Sequence, residues 1–271
     1  MLLREVAYAR PAAVEEAVEL LAGDPGARAL AGGQTLINVM KARIASPEVL
    51  VDLNGLEELK AIELGADGTL ELGAMVTYSQ LISSAEARAR PIVGEVAAQI
   101  ADVQVRNRGT VGGNVCANDP TNHLPPLLVA LGATMTITGR DGERTVPAEE
   151  FFLGVYMTAA GPGELLTKVA IPPAGGAGDG FASVTIGRDG TGIVNVAASV
   201  NGGTRLAIGC VAAVPVLVQA QRADEDAIHE AVRAAALDPP SDVHASAEYR
   251  RHLAEVLAAR AARQASDRRR G

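Results

Sequence analysis

From Gly109 to Pro120 the chain reads Gly-Thr-Val-Gly-Gly-Asn-Val-Cys-Ala-Asn-Asp-Pro. Three glycines, a threonine and an asparagine stand beside an Asp-Pro turn, and no hydrophobic period runs through the middle, so the segment reads as a loop. Glycine loses the most conformational freedom on folding, and a run this rich in it needs a reason. The usual reasons are a tight bend or a ligand that comes close to backbone N–H groups. A second segment of the same character, Ala31-Gly32-Gly33-Gln34-Thr35-Leu36, lies earlier in the chain. Each follows a strand-like or apolar stretch and leads towards a helix. Two such loops point to a ligand carrying a diphosphate.

The rest of the composition narrows the classes. The chain has 271 residues, long enough for one to three domains with a substantial core. Aromatic residues make up 3% and tryptophan is absent, which removes the stacking platforms that single-stranded nucleic acid uses. A formal net charge of -8 argues against any polyanionic partner, so no nucleic acid is expected. Two cysteines, Cys116 and Cys210, are too few for an iron–sulfur cluster and lack zinc spacing. Four scattered histidines offer no metal-ligand pair. The amino-terminal sequence lacks the order of a signal peptide, and no apolar run reaches the roughly 20 residues of a membrane span. A soluble, cytoplasmic protein is expected, and two free thiols suit a reducing compartment.

Along the chain, Val14, Ala17, Val18 and Leu21 give a helix stopped by Gly23 and Pro25. A strand at Arg28–Leu30, the first glycine turn, a helix carrying Leu36, Ile37, Val39 and Met40, and a strand at Val49–Leu53 make a βαβ unit. Hairpins are expected around Asp67-Gly68 and Asp141-Gly142. Helices follow Thr77 and Pro91 and cover Leu124–Leu131, and a strand ends at Ile171 before Pro172-Pro173. Residues 174–180 (Ala-Gly-Gly-Ala-Gly-Asp-Gly) read as a linker. Three strands (Phe181–Ile186, Ile193–Asn201, Arg205–Val211) and two helices (Asp224–Leu237, Ser246–Gln264) would form a separate α+β unit. The final Arg268-Arg269-Arg270 reads as a frayed end.

The candidate chemistry is binding rather than proton transfer. Ala31–Thr35 can gather N–H groups at a helix N-terminus, with Thr35 either capping that helix or donating to a phosphate oxygen; a bare turn is the other reading. Thr110 and Asn114 add side-chain donors around Gly112-Gly113. Neither a G-x-G-x-x-G nor a G-x-x-x-x-G-K-[ST] pattern occurs, so a dinucleotide would need some other arrangement. His123, just past the second loop, either caps the next helix or touches the ligand. Cys116 reads as a packed thiol. No nucleophile elbow and no Cys–His couple is visible. That is the pattern of a protein whose cofactor carries the chemistry.

The two loops, in this order and separation, resemble those of the flavin subunits of the molybdenum hydroxylases. That family includes the medium subunit of aerobic carbon monoxide dehydrogenase and the FAD domain of xanthine dehydrogenase. The matching stretches are Leu30–Ile37, Arg106–Asn114, Asp119-Pro120, Gly163–Leu166, Ile171-Pro172 and Ala247–Arg250. The resemblance implies an α+β chain. Residues 1–175 would be a two-lobed FAD-binding domain of the p-cresol methylhydroxylase type (lobes about 1–55 and 56–175), and residues 178–271 a small domain with a three-stranded antiparallel sheet. Non-covalent FAD would be held by Ala31, Gly32, Gly33, Gln34, Thr35 and Leu36, and by Thr110, Gly112, Gly113 and Asn114. Asp119, His123, Leu166 and Thr185 would lie near it. The implied partners are a large molybdopterin subunit and a small subunit with two [2Fe–2S] clusters, as a dimer of heterotrimers. Three positions depart from the family: His123 stands where an acidic residue is usual, Thr185 where a lysine is common, and Ile193 near where a tyrosine can stack on the flavin. These departures count against carbon monoxide as the substrate. A self-sufficient FAD oxidase and a flavin-free nucleotide-binding or assembly protein are the other readings.

Overall fold

The computed structural model describes residues 2–187 and 190–270, so the domain ends Met1 and Gly271 lie outside the described residues. The first lobe is built from β1 (Ala7–Ala9), α1 (Val14–Gly23), β2 (Ala27–Leu30), α2 (Leu36–Lys41) and β3 (Val49–Asp52). Its sheet has the order β1-β3-β2 and is parallel throughout. The expected βαβ unit is therefore present, with the short strand β1 added on the far edge. Val14, Ala17, Val18 and Leu21 turn one face of α1 into the lobe's core against Val51, Leu53 and Leu56. Ala13 cannot cap α1, and Glu58 accepts from the Val14 N–H at 3.1 Å in its place.

The second lobe follows with β4 (Ile62–Leu64), β5 (Leu70–Gly73), α3 (Tyr78–Ser83), α4 (Pro91–Ala97), α5 (Val103–Arg106), α6 (Val111–Ala117) and α7 (Leu124–Leu131). Then come β6 (Thr134–Gly139), β7 (Gly142–Pro147), α8 (Ala148–Phe151), β8 (Phe152–Gly154), β9 (Met157–Thr158) and β10 (Leu165–Ile171). The main sheet is antiparallel, order β4-β5-β10-β6-β7. Both expected hairpins are there, and β10 closes the sheet by pairing with β5 and β6 at once. Thr77 caps α3 through a reciprocal capping box with Gln80. The helix α7 is wholly buried, wedged between this sheet and the C-terminal unit.

The C-terminal unit holds β11 (Gly178–Ile186), β12 (Thr191–Asn201), β13 (Gly203–Gly209), β14 (Val216–Ala220), α9 (Glu225–Ala234) and α10 (Ala247–Arg270). Its sheet has four strands in simple meander order, one more than the three expected. Pro215 interrupts the apolar run that precedes β14, which hid the strand. A proline just before an edge strand costs no ladder bond.

Two further expectations are corrected here. Residues 178–180 belong to β11 rather than to a linker, because their glycines let the backbone of α10 lie directly on the strand. A β-carbon on Gly180 would stand 2.1 Å from the Ala261 carbonyl oxygen, and one on Gly178 1.9 Å from that of Ala265. The arginine tail is not frayed either. The α10 helix continues to Arg270, and Arg268 donates to the Asp179 carbonyl at 3.1 Å and pairs with Glu95 at 2.7 Å.

Candidate functional site

The second glycine segment is a helix, not a loop. Thr110 is the N-cap of α6, its Oγ1 accepting from Gly113 N–H at 3.0 Å, and Gly112 and Gly113 fill the first turn. Glycine is a poor helix former, so tertiary contact decides the outcome. A β-carbon on Gly112 would come within 2.7 Å of the Ala74 carbonyl oxygen, and the Gly112 N–H donates to that same oxygen at 2.8 Å. The Val111 N–H donates to Val76. The first turn of α6 is thus pinned to the chain leaving β5.

The first glycine segment packs against the second. A β-carbon on Gly32 would stand 2.1 Å from the Arg108 carbonyl oxygen, and one on Gly113 3.6 Å from the Ala31 β-carbon. Asn54 anchors the turn from behind, donating to the Ala31 carbonyl at 3.1 Å while bonded to Asp52. Asp52 in turn accepts from the Tyr8 hydroxyl. Gly33 takes a φ of +70°, which turns the backbone into α2. Thr35 makes no cap bond to α2, so its hydroxyl is uncommitted.

The two segments differ in what they leave open. Among the described residues, the backbone N–H groups of Gly32, Gly33, Gln34 and Thr35 have no partner within the chain. Four successive free donors beside a helix start are the kind of groups that an anion takes as partners. The N–H groups of Val111, Gly112 and Gly113 are already satisfied internally. On α6 the open group is a side chain: Asn114 is buried, and its Oδ1 has no partner. Burial pushes the neighbouring Tyr78 phenol up to about 12, with the Asn114 side chain working against the shift.

A cavity of about 360 Å³ opens where the second lobe meets the C-terminal unit, lined by Gln99, Arg106, His123, Ser183 and Thr185 among others. The structure therefore brings His123 and Thr185 together although they are far apart in sequence. His123 makes no side-chain cap to α7. Its ring is buried, 5.4 Å from that of Phe181, and its Nε2 has no partner. Burial lowers its pKa to about 4, against a smaller upward pull from the Thr121 carbonyl, so the ring is neutral at ordinary pH. Arg106 is held by the carbonyls of Ile100 (3.0 Å) and Ala101 (2.6 Å) and has no carboxylate partner among the described residues.

Asp119 is spent on structure, accepting from the Thr121 N–H (2.9 Å), the Thr121 hydroxyl (2.8 Å) and the Tyr156 hydroxyl (3.3 Å). Leu166 is buried on β10, its backbone beside the Cys116 thiol, which burial pushes up to about 12. Sequence reasoning missed Asn54, Tyr78, Asn195 and the cleft role of Arg106. Asn195 left a signal, an amide inside the apolar run Ile193-Val194-Asn195-Val196.

Comparison with known proteins decides what these parts belong to. Residues 4–174 match the family described as the FAD binding domain in molybdopterin dehydrogenase, and residues 183–265 that described as the CO dehydrogenase flavoprotein C-terminal domain. The chain belongs to this family. It is 38% identical over 280 residues to the carbon monoxide dehydrogenase medium chain of Afipia carboxidovorans, covering 96% of each. It is 34% identical to the nicotine 6-hydroxylase medium subunit of Paenarthrobacter nicotinovorans, covering 95% of this chain and 96% of that one. Among solved structures, a cyanide-inactivated Cu,Mo-CO dehydrogenase matches with a TM-score of 0.93 at 35% identity, covering 99% of this chain and 100% of that chain.

The chain is thus the FAD-binding medium subunit of an oxidoreductase of the molybdenum hydroxylase family. Its residues fit the cofactor on their own terms. The four free N–H groups of the first turn suit a diphosphate, while the orphaned Asn114 Oδ1 and His123 Nε2 are buried polar atoms that want a partner. No helix among the described residues is long and apolar enough to cross a membrane, and none of their His, Cys, Asp and Glu side chains cluster as a metal site.

Proposed function

We propose that this chain passes electrons from the [2Fe–2S] clusters of a small partner subunit through FAD to an external acceptor, while a large molybdopterin subunit oxidises the substrate. The observation that carries the reading is the pairing of the open first turn, Gly32–Thr35, with a cleft whose described lining residues include no carboxylate and no thiol. Such a set of residues suits binding and orientation. Bound FAD supplies the electron exchange.

The chain's own residues hold and shield. Ala31, Gly32, Gly33, Gln34, Thr35 and Leu36 present backbone donors to the diphosphate. Thr110, Gly112, Gly113 and Asn114 form the opposite wall, where the absent side chain of Gly113 leaves room and Asn114 offers its amide. His123 and Thr185 face the flavin ring across the cleft, Arg106 adds a positive charge to the cleft wall, and Leu166 and Asp119 support the site from behind. Binding is non-covalent, since Cys116 is held as a thiol by burial. Residues 1–175 would be the FAD-binding domain, in lobes of about 1–55 and 56–175, and residues 178–271 the small C-terminal domain. A dimer of heterotrimers in the cytoplasm completes the proposal.

The test is to purify the tagged chain from its native host and identify the co-purifying proteins by mass spectrometry. A large molybdopterin protein and a small cysteine-rich one are expected, with flavin absorbance that bleaches when substrate of the large subunit is added. A chain that purifies alone, with or without flavin, would contradict the electron-transfer role.

A further inference from the structure

The first glycine turn owes its open donors to what happens to its carbonyls. Four peptide units run from Ala31 to Thr35, all of them trans, so in each the C=O and the N–H point in opposite directions. The Ala31 carbonyl accepts from Asn54 Nδ2 at 3.1 Å, and that of Gly32 from Gln34 Nε2 at 3.1 Å. The Gly33 carbonyl accepts from the Ile37 N–H at 3.3 Å, and that of Gln34 from Asn38 Nδ2 at 2.7 Å. All four carbonyls are thus held from within the chain. The N–H groups of the same four units, on Gly32, Gly33, Gln34 and Thr35, have no partner among the described residues. Three of the four holders are side-chain amides.

Asn54 is the holder that comes from outside the turn. It lies just past β3, and its amide is locked. Nδ2 carries two hydrogens and meets two oxygens, the Ala31 carbonyl and Asp52 Oδ1 at 2.6 Å. Asp52 Oδ1 also accepts from the Asn54 N–H at 2.9 Å, and Oδ2 accepts from the Tyr8 hydroxyl. Burial would raise the Asp52 carboxyl, but the donors of Tyr8 and Asn54 outweigh it and hold the group below its usual range, so it stays an acceptor. Turning the amide over would set its oxygen against two others. Lys60 Nζ fixes the Asn54 backbone by donating to its carbonyl at 2.7 Å. A line of hydrogen bonds therefore runs from Tyr8 on β1 through Asp52 on β3 to the turn that follows β2, across the whole sheet of the first lobe.

Resting on the reading that this turn takes the FAD diphosphate, we infer that Asn54 and Asn38 are positioning residues. They hold the carbonyls of Ala31 and Gln34 so that the N–H groups of Gly32 and Thr35 are turned towards the phosphate oxygens. The donors belong to the turn itself and not to the dipole of the short helix α2. Two observations apart from the turn point to a ligand beside it. Residues 4–174 match an FAD binding domain, and the facing segment carries the buried, unpartnered Asn114 Oδ1 next to Gly113, whose β-carbon would stand 3.6 Å from that of Ala31. Neither asparagine needs to touch the cofactor. Without them the peptide planes are free to rotate, and a diphosphate has to order them as it binds, which costs affinity.

The experiment titrates the full chain with three probes: FAD, ADP, which has the diphosphate without the flavin, and riboflavin, which has the flavin without the diphosphate. Asn54→Ala should weaken FAD and ADP about tenfold, the share of one hydrogen bond, and Asn38→Ala about threefold because Asn38 is exposed. Riboflavin affinity should stay unchanged in both. A general loosening of the lobe would weaken riboflavin together with FAD, and that result overturns the positioning role. Unchanged FAD and ADP affinities in a folded variant overturn it for the residue concerned. If Asn54→Ala does not fold, Asn38→Ala, at an exposed side chain, decides. The wild type keeps the two levels apart. If it binds neither FAD nor ADP more tightly than riboflavin, the diphosphate reading itself fails, and the role of both asparagines with it.

Discussion

At His123 the physics reduces to one neutral ring in a dry site. Burial lowers its pKa from 6.5 to about 4, so the folded chain resists a proton that the unfolded chain accepts. Its contribution to stability is complete above about pH 6.5 and declines as pH falls towards 4, below which it is constant. A shift of this size caps the effect at roughly 3 kcal/mol. Between pH 7 and 4.5, urea unfolding of the wild type should therefore lose about 2–3 kcal/mol more than that of His123→Asn. Equal losses would mean the ring is not buried neutral. The glycines of α6 divide along the same residue scale. Gly112→Ala forces a methyl group against the Ala74 backbone and should cost more than about 2 kcal/mol. Gly113→Val meets only the Thr110 hydroxyl and the Ala31 methyl, so it should leave the fold standing while the flavin is lost. Normal flavin content in Gly113→Val would remove Gly113 from the site.

Among the elements, α10 on β11 shows how two glycines and a row of alanines replace a large-residue core. Ala254, Ala258, Ala261, Ala262 and Ala265 are buried on the helix face, and the strand beneath begins Gly178-Asp179-Gly180. Gly180→Val must lift the helix off the sheet and should cost several kcal/mol in urea unfolding. If it costs under 1 kcal/mol, the close approach of helix and strand is wrong. This element also shows where sequence stops being legible. Periodicity found α1, α7 and both hairpins, because their apolar spacing or turn residues act locally. It read residues 178–180 as a linker and Thr110–Asn114 as a loop, because in both places glycine answers to a backbone from a distant part of the chain. The candidate site was legible as two segments and a histidine. That Gly32 abuts Arg108, and that His123 shares a cleft with Thr185, are facts of tertiary structure alone. The ligand type was readable since glycine-rich turns are local chemistry; the contacts of Asn195 were not, since Asn122 and His123 come from another lobe.

The whole molecule depends on how the C-terminal unit is fastened over the second lobe. Arg90, just ahead of α4, forks onto Asp179 of β11 with contacts of 2.6 and 2.9 Å and also donates to the Pro172 carbonyl at 2.6 Å. Both side chains are buried. Arg90→Leu leaves a buried carboxylate alone and should cost about 3–5 kcal/mol, whereas replacing both partners with apolar residues should recover much of it. A loss in Arg90→Leu that the double variant does not reduce would show that the pair is not what joins the two parts. The junction matters because the cleft proposed to take the flavin lies along it. The central claim is that the first glycine turn, backed by the second, holds the diphosphate of FAD. Calorimetric titration of the purified full chain with FAD and, separately, with riboflavin tests it most directly. One FAD per chain is expected, with riboflavin at least about a hundredfold weaker because it lacks the diphosphate that four backbone donors await. Equal affinity for the two, or no binding of FAD, would contradict the account.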